Sequence, residues 1–323
     1  MKTQYRLYFW ALLMVFASAN AYAQDPFYSQ IFANRLQLSP ALAGSQESAA
    51  IMTQYRAQWI NIPGSYRQWG LAYDQPIKAA GKGWNGGITL NLDQAGETLT
   101  MSQAHLHIAK EFDLGAYHRL RIGLAGGLQS RSIDFYRLRF PDQIDPRQGF
   151  VAPTPPTESE RFTQADFHSG LAYYNRYFYV VGTIKHLQGD WLRGDSTQLF
   201  RNLPRLYSLS SGFRIPIIKE LEGLGSLSLN PAIHYQRQGD FDFYMLGLAL
   251  ETQYIQLMTW WQPGERISGG LGCTIGPVQL AYQYDRYLTN LFGTIGPSHE
   301  ISLAIRLGDR KKGERSAMPI PAY

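Results

Sequence analysis

An export signal followed by a long succession of strand-like alternations, with no apolar run long enough for a spanning helix, most limits what this 323-residue chain can become. Residues 1–23 read as a secretory signal peptide. Lys2 and Arg6 precede the apolar run Leu7 to Ala17, and Ala21-Tyr22-Ala23 offers a small-x-small cleavage site before Gln24. After residue 23 no run of about 18 apolar residues occurs, so spanning helices are not expected. Inside lipid only helices and closed barrels satisfy every backbone N–H and C=O. The alternation, with 21 Tyr and 7 Trp, therefore predicts an outer-membrane β-barrel, in which aromatic residues gather at the two membrane interfaces.

The alternation is clear near the C-terminus. Val278, Leu280, Tyr282 and Tyr284 share one face, opposite Gln279, Ala281, Gln283 and Asp285; His299, Ile301, Leu303, Ile305 and Leu307 oppose Glu300, Ser302, Ala304 and Arg306. Strands are expected at 49–59, 66–74, 85–93, 97–111, 118–130, 162–174 and 177–187. Further ones are expected at 204–215, 225–237, 241–252, 254–262, 265–275, 277–287 and 297–307. Most are twice the usual soluble strand of about 5–6 residues, as a bilayer crossing requires. The expected fold is all-β: a single antiparallel transmembrane β-barrel over 48–308 with about 14 strands, twelve being the alternative count.

Residues 24–47 carry no strand pattern, and Asp25-Pro26, Ser39-Pro40 and Gly44 interrupt them. They are expected to form an N-terminal periplasmic arm or plug packed at or inside that end of the barrel. Phe27, Tyr28, Ile31, Phe32, Leu36 and Leu38 would otherwise face water, and burying each is worth about 1.5–3 kcal/mol. Most joins are short, such as Gln238-Gly239-Asp240 and Gln262-Pro263-Gly264. Two are long: Ser130 to Arg161, which carries Pro141, Pro146, Pro153, Pro155 and Pro156, and Gln188 to Leu203. Outer-membrane barrels keep short periplasmic turns and longer outer loops, so these two are assigned to the outside. The tail 309–323, with Arg310, Lys311, Lys312 and Arg315, reads as a disordered, solvated basic segment.

Composition argues against several functions. Without Lys2 and Arg6 the basic residues fall from 30 to 28 against 25 acidic ones, so the formal charge falls from +5 to +3, too little for nucleic-acid binding. The single Cys273 cannot form an internal disulfide. G-x-S-x-G, H-E-x-x-H, P-loop and C-x-x-C patterns are missing, and Gly269-Gly270-Leu271-Gly272 misses the dinucleotide spacing. His105 and His107 share a strand face, but no nearby Cys or carboxylate completes a metal set, so neither metal nor cofactor is expected. In Phe167-His168-Ser169-Gly170 the His and Ser point to opposite faces, which argues against a lipid hydrolase. Asp74, Asp93, Asp142, Asp145 and Asp166 fall near predicted strand ends or loops and read first as turn formers. The loop cluster Phe140-Pro141-Asp142-Gln143-Ile144-Asp145-Pro146 mixes apolar and acidic groups and is a candidate recognition surface.

Several short motifs recur in a recognisable order. They are Gln24-Asp25-Pro26-Phe27-Tyr28-Ser29-Gln30, Leu38-Ser39-Pro40-Ala41-Leu42-Ala43-Gly44, Tyr55-Arg56-Ala57-Gln58-Trp59, Tyr73-Asp74-Gln75-Pro76 and Asp93-Gln94-Ala95-Gly96. Asp142-Gln143-Ile144-Asp145 follows, then Asp166 with Gly170, Tyr173 and Tyr174, then His186-Leu187 and Ser298-His299-Glu300-Ile301-Ser302-Leu303. As an ordered set they resemble the PorP/SprF family of type IX secretion system membrane proteins; Ser39 stands where that family usually has Asn.

The resemblance implies an outer-membrane barrel of Bacteroidetes-type bacteria. Its partners would be type IX secretion components and cargo carrying a C-terminal sorting domain, including large adhesins used in gliding. Membrane lipids and lipopolysaccharide would surround it. The residues proposed to contact partners are Phe140, Asp142, Ile144 and Asp145 of the loop cluster, with Arg56, Trp59 and Asp74 from the matching motifs. The expected function is non-enzymatic: an anchor or docking site for export or surface retention of cargo. The alternative is a transporter or porin for hydrophobic small molecules.

Overall fold

The computed structural model describes residues 25–46, 48–115, 117–137, 144–145, 147, 149–150, 160–189, 203–308 and 319. The proposed signal peptide and most of the basic tail lie outside these residues. The chain forms a closed, all-antiparallel barrel of fourteen strands, each hydrogen-bonded to its neighbours in sequence. They are β1 (Ala49–Gln58), β2 (Tyr66–Pro76), β3 (Trp84–Ala95), β4 (Leu99–Asp113), β5 (Arg119–Ile133), β6 (Glu160–Tyr174) and β7 (Phe178–Lys185). The remainder are β8 (Leu206–Phe213, continued as Ile215–Leu221), β9 (Gly225–Gln238), β10 (Phe241–Glu251), β11 (Ile255–Gln262), β12 (Arg266–Ile275), β13 (Val278–Tyr287) and β14 (Ser298–Leu307). Closure pairs β1 with β14 from Ala49↔Leu307 to Gln58↔Ser298, which leaves no unpaired edge in lipid.

The period-two pattern dictates which side chains point inward. In β11 Gln256, Met258, Trp260 and Gln262 face the lumen, while Ile255, Leu257, Thr259 and Trp261 face out. The second half of β8 is a correction to the sequence reading, which ended that strand at 215. Ile215-Pro216-Ile217-Ile218 is exposed at every position, and register shifts follow Pro216 and Ile218. An unbroken apolar run with a proline hides a strand that bulges.

Both chain ends of the barrel, Ala49 and Leu307, lie at one rim, here the termini end. The turns there are short, as at 175–177, 222–224 and 252–254. The long connections after Ile133 and after Lys185 both open at the opposite rim, the loop end. The outer surface carries an apolar middle, with Leu106, Leu124, Leu171 and Leu257 exposed. Exposed aromatic residues sit toward the rims: Tyr66, Trp69, Tyr207, Tyr235 and Trp261 toward the loop end, and Tyr117, Tyr177, Phe213 and Tyr254 toward the termini end. That is the distribution of a bilayer-crossing barrel with two aromatic girdles.

Residues 25–46 occupy the lumen. They run from the loop end, where Asp25 meets His186, to the termini end, where Gly44 meets Asp74. One turn of helix, Arg35–Leu38, is capped by Asn34, and a tighter turn at Pro40–Leu42 is capped by Ser39. Ile31, Phe32, Leu38, Ala41 and Leu42 build an apolar core with Tyr174, Tyr179, Val181, Phe243, Met245 and Trp260 on the barrel wall. A second cluster joins Leu36 and Ala43 of the arm to Met52, Ala72, Ala109 and Ala304 of the wall.

Leu106, 68% exposed in mid-strand, tests the assignment of the outer face to lipid. Leu106→Arg is expected to destabilise the barrel in phospholipid vesicles by about 2–4 kcal/mol in denaturant titrations. An unchanged stability would remove that face from the bilayer.

Candidate functional site

The arm is held at three places along the lumen, and each uses residues from the ordered motifs. The first lies at the closing seam. Arg56 on β1 and Glu300 on β14 are direct cross-strand partners, and Arg56 is fully buried. Its guanidinium pairs with Glu300 (3.0 Å) and with Asp285 of β13 (2.7 Å). The arm completes this cluster. Ser29 and Gln30 donate backbone N–H groups to the two carboxylate oxygens of Glu300 (2.7 and 3.0 Å), and the Ser29 hydroxyl donates to Asp285 (2.6 Å). Gln54 donates to both Glu300 and the Gln30 carbonyl (2.9 Å each).

The second hold is the Ser39-Pro40-Ala41 turn. Arg121 of β5 donates through Nε to the Ala41 carbonyl (2.7 Å), and through its other nitrogens to the Ala43 carbonyl and to Glu111. Thr183 donates to the Leu38 carbonyl (3.1 Å). The turn rests on two glycines. A Cβ at Gly123 would fall 2.2 Å from Ala41 N, and one at Gly170 would fall 2.2 Å from the Ser39 hydroxyl. Close by, Asp74 accepts the Gly44 N–H at 2.6 Å. Asp74 is thus buried and bound to the arm, which corrects its reading as a turn former.

The third hold is a cluster of histidines around Asp166. One oxygen of Asp166 lies 3.0 Å from Nε2 of both His105 and His168. The other accepts from Nδ1 of His186 (2.9 Å) and from Gln188 (2.9 Å). His186 also donates through Nε2 to Asp25 at 2.5 Å. Burial opposes charge on His186, but the flanking carboxylates of Asp25 and Asp166 outweigh it and raise its pKa from 6.5 to about 9. Burial would likewise raise Asp25, yet His186 holds it well below the ordinary carboxylate range. Asp166 is therefore mid-strand and fully buried, not a turn residue, and it is the carboxylate that the sequence reading found lacking near His105. His168 faces the lumen while Ser169 points the other way, as alternation requires.

At the loop end the lumen opens into a cavity of about 410 Å³. Asp25, Phe27, Trp59, Tyr66, Asp93, Met101, Arg131, Phe243 and Arg266 are among its lining residues. Trp59 has a left-handed backbone (φ 61°) and packs edge-on to Tyr66, with centroids 5.1 Å apart. Trp59 Nε1, Asp93 Oδ1 and Gln262 Oε1 are buried there without hydrogen-bond partners.

The sequence candidates thus separate. Trp59 lines the cavity, whereas Arg56 and Asp74 are buried deeper against the arm. Phe140 and Asp142 lie outside the described residues. Ile144–Asp145 pairs as a short strand with Gly149–Phe150 in the long loop. His186 and Glu300 were visible only as members of motifs, and Asp166 also as a turn former. Nothing local in the sequence tells that they meet the arm.

Compared with known proteins, the chain matches the model of the type IX secretion system membrane protein PorP/SprF over residues 20–305. It belongs to the PorP/SprF family. No curated protein sequence matches it. Among solved structures, the Ralstonia pickettii toluene transporter TbuX is 10% identical, with 84% of this chain and 93% of that chain covered, at a TM-score of 0.49. The CymD monoaromatic hydrocarbon channel is 11% identical over 86% of this chain and 93% of that one (TM-score 0.47). Acinetobacter baumannii Omp33 is 6% identical over 82% and 100% (TM-score 0.43). A membrane protein of this family that crosses with fourteen closed strands is an outer-membrane barrel. In this PorP/SprF protein the arm and its three holds lie within the matched residues.

The glycine cradle gives a direct test of arm docking. Gly170→Val drives a side chain into Ser39 and Pro40, whereas nothing lies within 4 Å of a Cβ at Gly182. Gly170→Val is expected to raise protease cleavage within 25–46 by at least about tenfold, equivalent to some 1.4 kcal/mol of lost docking. The barrel should keep its heat-modifiable mobility, and Gly182→Val should behave as the parent. Equal cleavage of both variants would refute the docking.

Proposed function

We propose that this barrel is a non-enzymatic docking site of the type IX secretion system, holding a secretion component or a cargo protein at its loop end. The observation that carries the proposal is the contrast between the two parts of the lumen. Its length is occupied by the chain's own arm, fastened by hydrogen bonds to buried ion-paired groups, while its loop end widens into an aromatic cavity with polar atoms still unpaired. Interfaces of this kind take up an extended segment through aromatic contacts at the centre and hydrogen bonds around them. By the rule of short periplasmic turns and long outer loops, the loop end faces the outside. The cavity then opens on the outward face, and the turns of the termini end face the periplasm.

Deleting the gene is expected to block export or surface retention of a cargo protein while leaving small-solute permeability unchanged. Normal cargo display in the deletion strain would overturn the proposal.

Transport of hydrophobic compounds is the competing use of such a barrel, and conductance separates the two. The purified chain in planar bilayers is expected to show no steady ion conductance and, in liposomes, no uptake of monoaromatic compounds. Removal of residues 25–46 is expected to open a conducting lumen. A conducting intact barrel would favour transport.

A further inference from the structure

We propose that His105, His168 and Asp166 form a binding site for a divalent transition-metal ion of the Zn²⁺ class inside the barrel wall. The site is made by what is missing from the strand between them. His105 on β4 and Asp166 on β6 both pair in register with Gly127 of β5, and in the next inward row His107 and His168 both pair with Ala125. Side chains two strands apart normally stand too far apart to share an ion. Here β5 contributes a hydrogen and a methyl group, so the flanking side chains lean over it and meet. The β4 backbone also crowds this position, where a Cβ at Gly127 would lie 1.9 Å from the Ala104 carbonyl oxygen.

The donor chemistry fits. One ligand atom from each of His105, His168 and Asp166 lies within 4.8 Å of the other two, and all three residues are buried. Both nitrogens are 3.0 Å from the oxygen. Tetrahedral bonds of about 2.0–2.2 Å place ligand atoms roughly 3.3–3.5 Å apart, so both N···O spacings lie within a few tenths of an ångström of those around a bound ion. Two imidazoles and a carboxylate are a transition-metal set and leave room for a water or a fourth ligand. His107 stands beside His105, with ring centroids 6.3 Å apart, and its buried Nδ1 has no hydrogen-bond partner. The second Asp166 oxygen is fixed by His186 and Gln188, the kind of outer support that orients metal-bound carboxylates. On binding, each imidazole gives its Nε2 lone pair to the ion and carries its ring proton on Nδ1. Four of the chain's seven histidines gather here.

The test uses the full mature chain without an affinity tag, in detergent, stripped with a chelator and titrated with Zn²⁺ by calorimetry. One ion per chain is expected. H105Q and H168Q should weaken binding by more than about a hundredfold, beyond the loss of an outer partner alone, while H234Q, at a buried histidine elsewhere, should bind as the parent does. Heat-modifiable mobility reports folding of each variant. Should a variant fail to fold, the Co²⁺-loaded parent decides: intense visible bands of a four-coordinate ion support the site. Absence of stoichiometric Zn²⁺ binding, variants that bind equally well, or only the weak spectrum of hydrated Co²⁺ would overturn it.

Discussion

Arg56, sealed from water where the first strand meets the last, sets terms that the rest of the lumen must satisfy. An uncompensated ion in such a place carries a penalty of several kcal/mol, and breaking a buried pair typically costs about 3–5 kcal/mol. The neighbouring strands answer with Glu300 and Asp285, which together exceed what one guanidinium neutralises. Arg266 restores the balance from 3.4 Å away, and its guanidinium also lies over the ring of Phe27. The remaining lone pairs of the two acids are met by Ser29 and Gln30. Barrel closure and arm docking are therefore one event electrostatically. A closed barrel without the arm would leave two carboxylates short of donors, and an arm without closure would lack Glu300 beside Arg56.

Buried ion pairs add little net stability, but they penalise wrong arrangements heavily. That explains the division of labour inside the lumen. On the side of β1, β13 and β14 the arm is held by charge and directional hydrogen bonds, which set its register. On the side of β6, β7, β10 and β11 it is held by Phe32 against Tyr179 and Trp260, and by Phe27 edge-on to Phe243, which supply burial. Between them Gly123 and Gly170 let the Pro40 turn approach the wall at backbone distance. A prolyl turn seated on bare backbone tolerates little displacement, so the arm behaves as a fixed component of the wall.

The alternation of apolar and polar residues was enough to read the barrel and a count of about fourteen strands, with twelve left open, because each strand carries its own record of which face meets lipid. The arm's contacts leave no such record. Arg56 and Glu300 are 244 residues apart, and their meeting depends on closure, which only the completed sheet defines. Asp166 shows the difficulty most sharply. Its sequence neighbours suggest a strand end, and its histidines come from positions 61 residues upstream and 20 downstream. His105 reaches it across Gly127, on a third strand, which has no side chain, and His186 reaches it from the end of the strand on the other side. Asp74 was misread in the same way, since its partner is a backbone N–H of the arm. The extension of β8 was lost for the opposite reason: its pattern is uniformly apolar, so periodicity had nothing to report.

A lumen that is already full changes where recognition can occur. Any partner must meet the barrel at its rims, on its loops or along its lipid face, unless it displaces the arm and with it the donors of Glu300. At the loop end Asp25, the first described residue of the arm, is locked between Arg131 and His186 and lines the cavity. Of the two non-glycine residues with left-handed backbones among those described, Trp59 lines this cavity and His186 is buried against Asp25. Such conformations cost of order 1–3 kcal/mol each and persist where surrounding contacts hold them. His186 is held by Asp25 and Asp166. Trp59 is held by Tyr66 and Tyr287, yet its indole N–H stays unpaired beside the opening. The arm therefore does more than fill space, because its Asp25, Pro26 and Phe27 form part of the cavity lining.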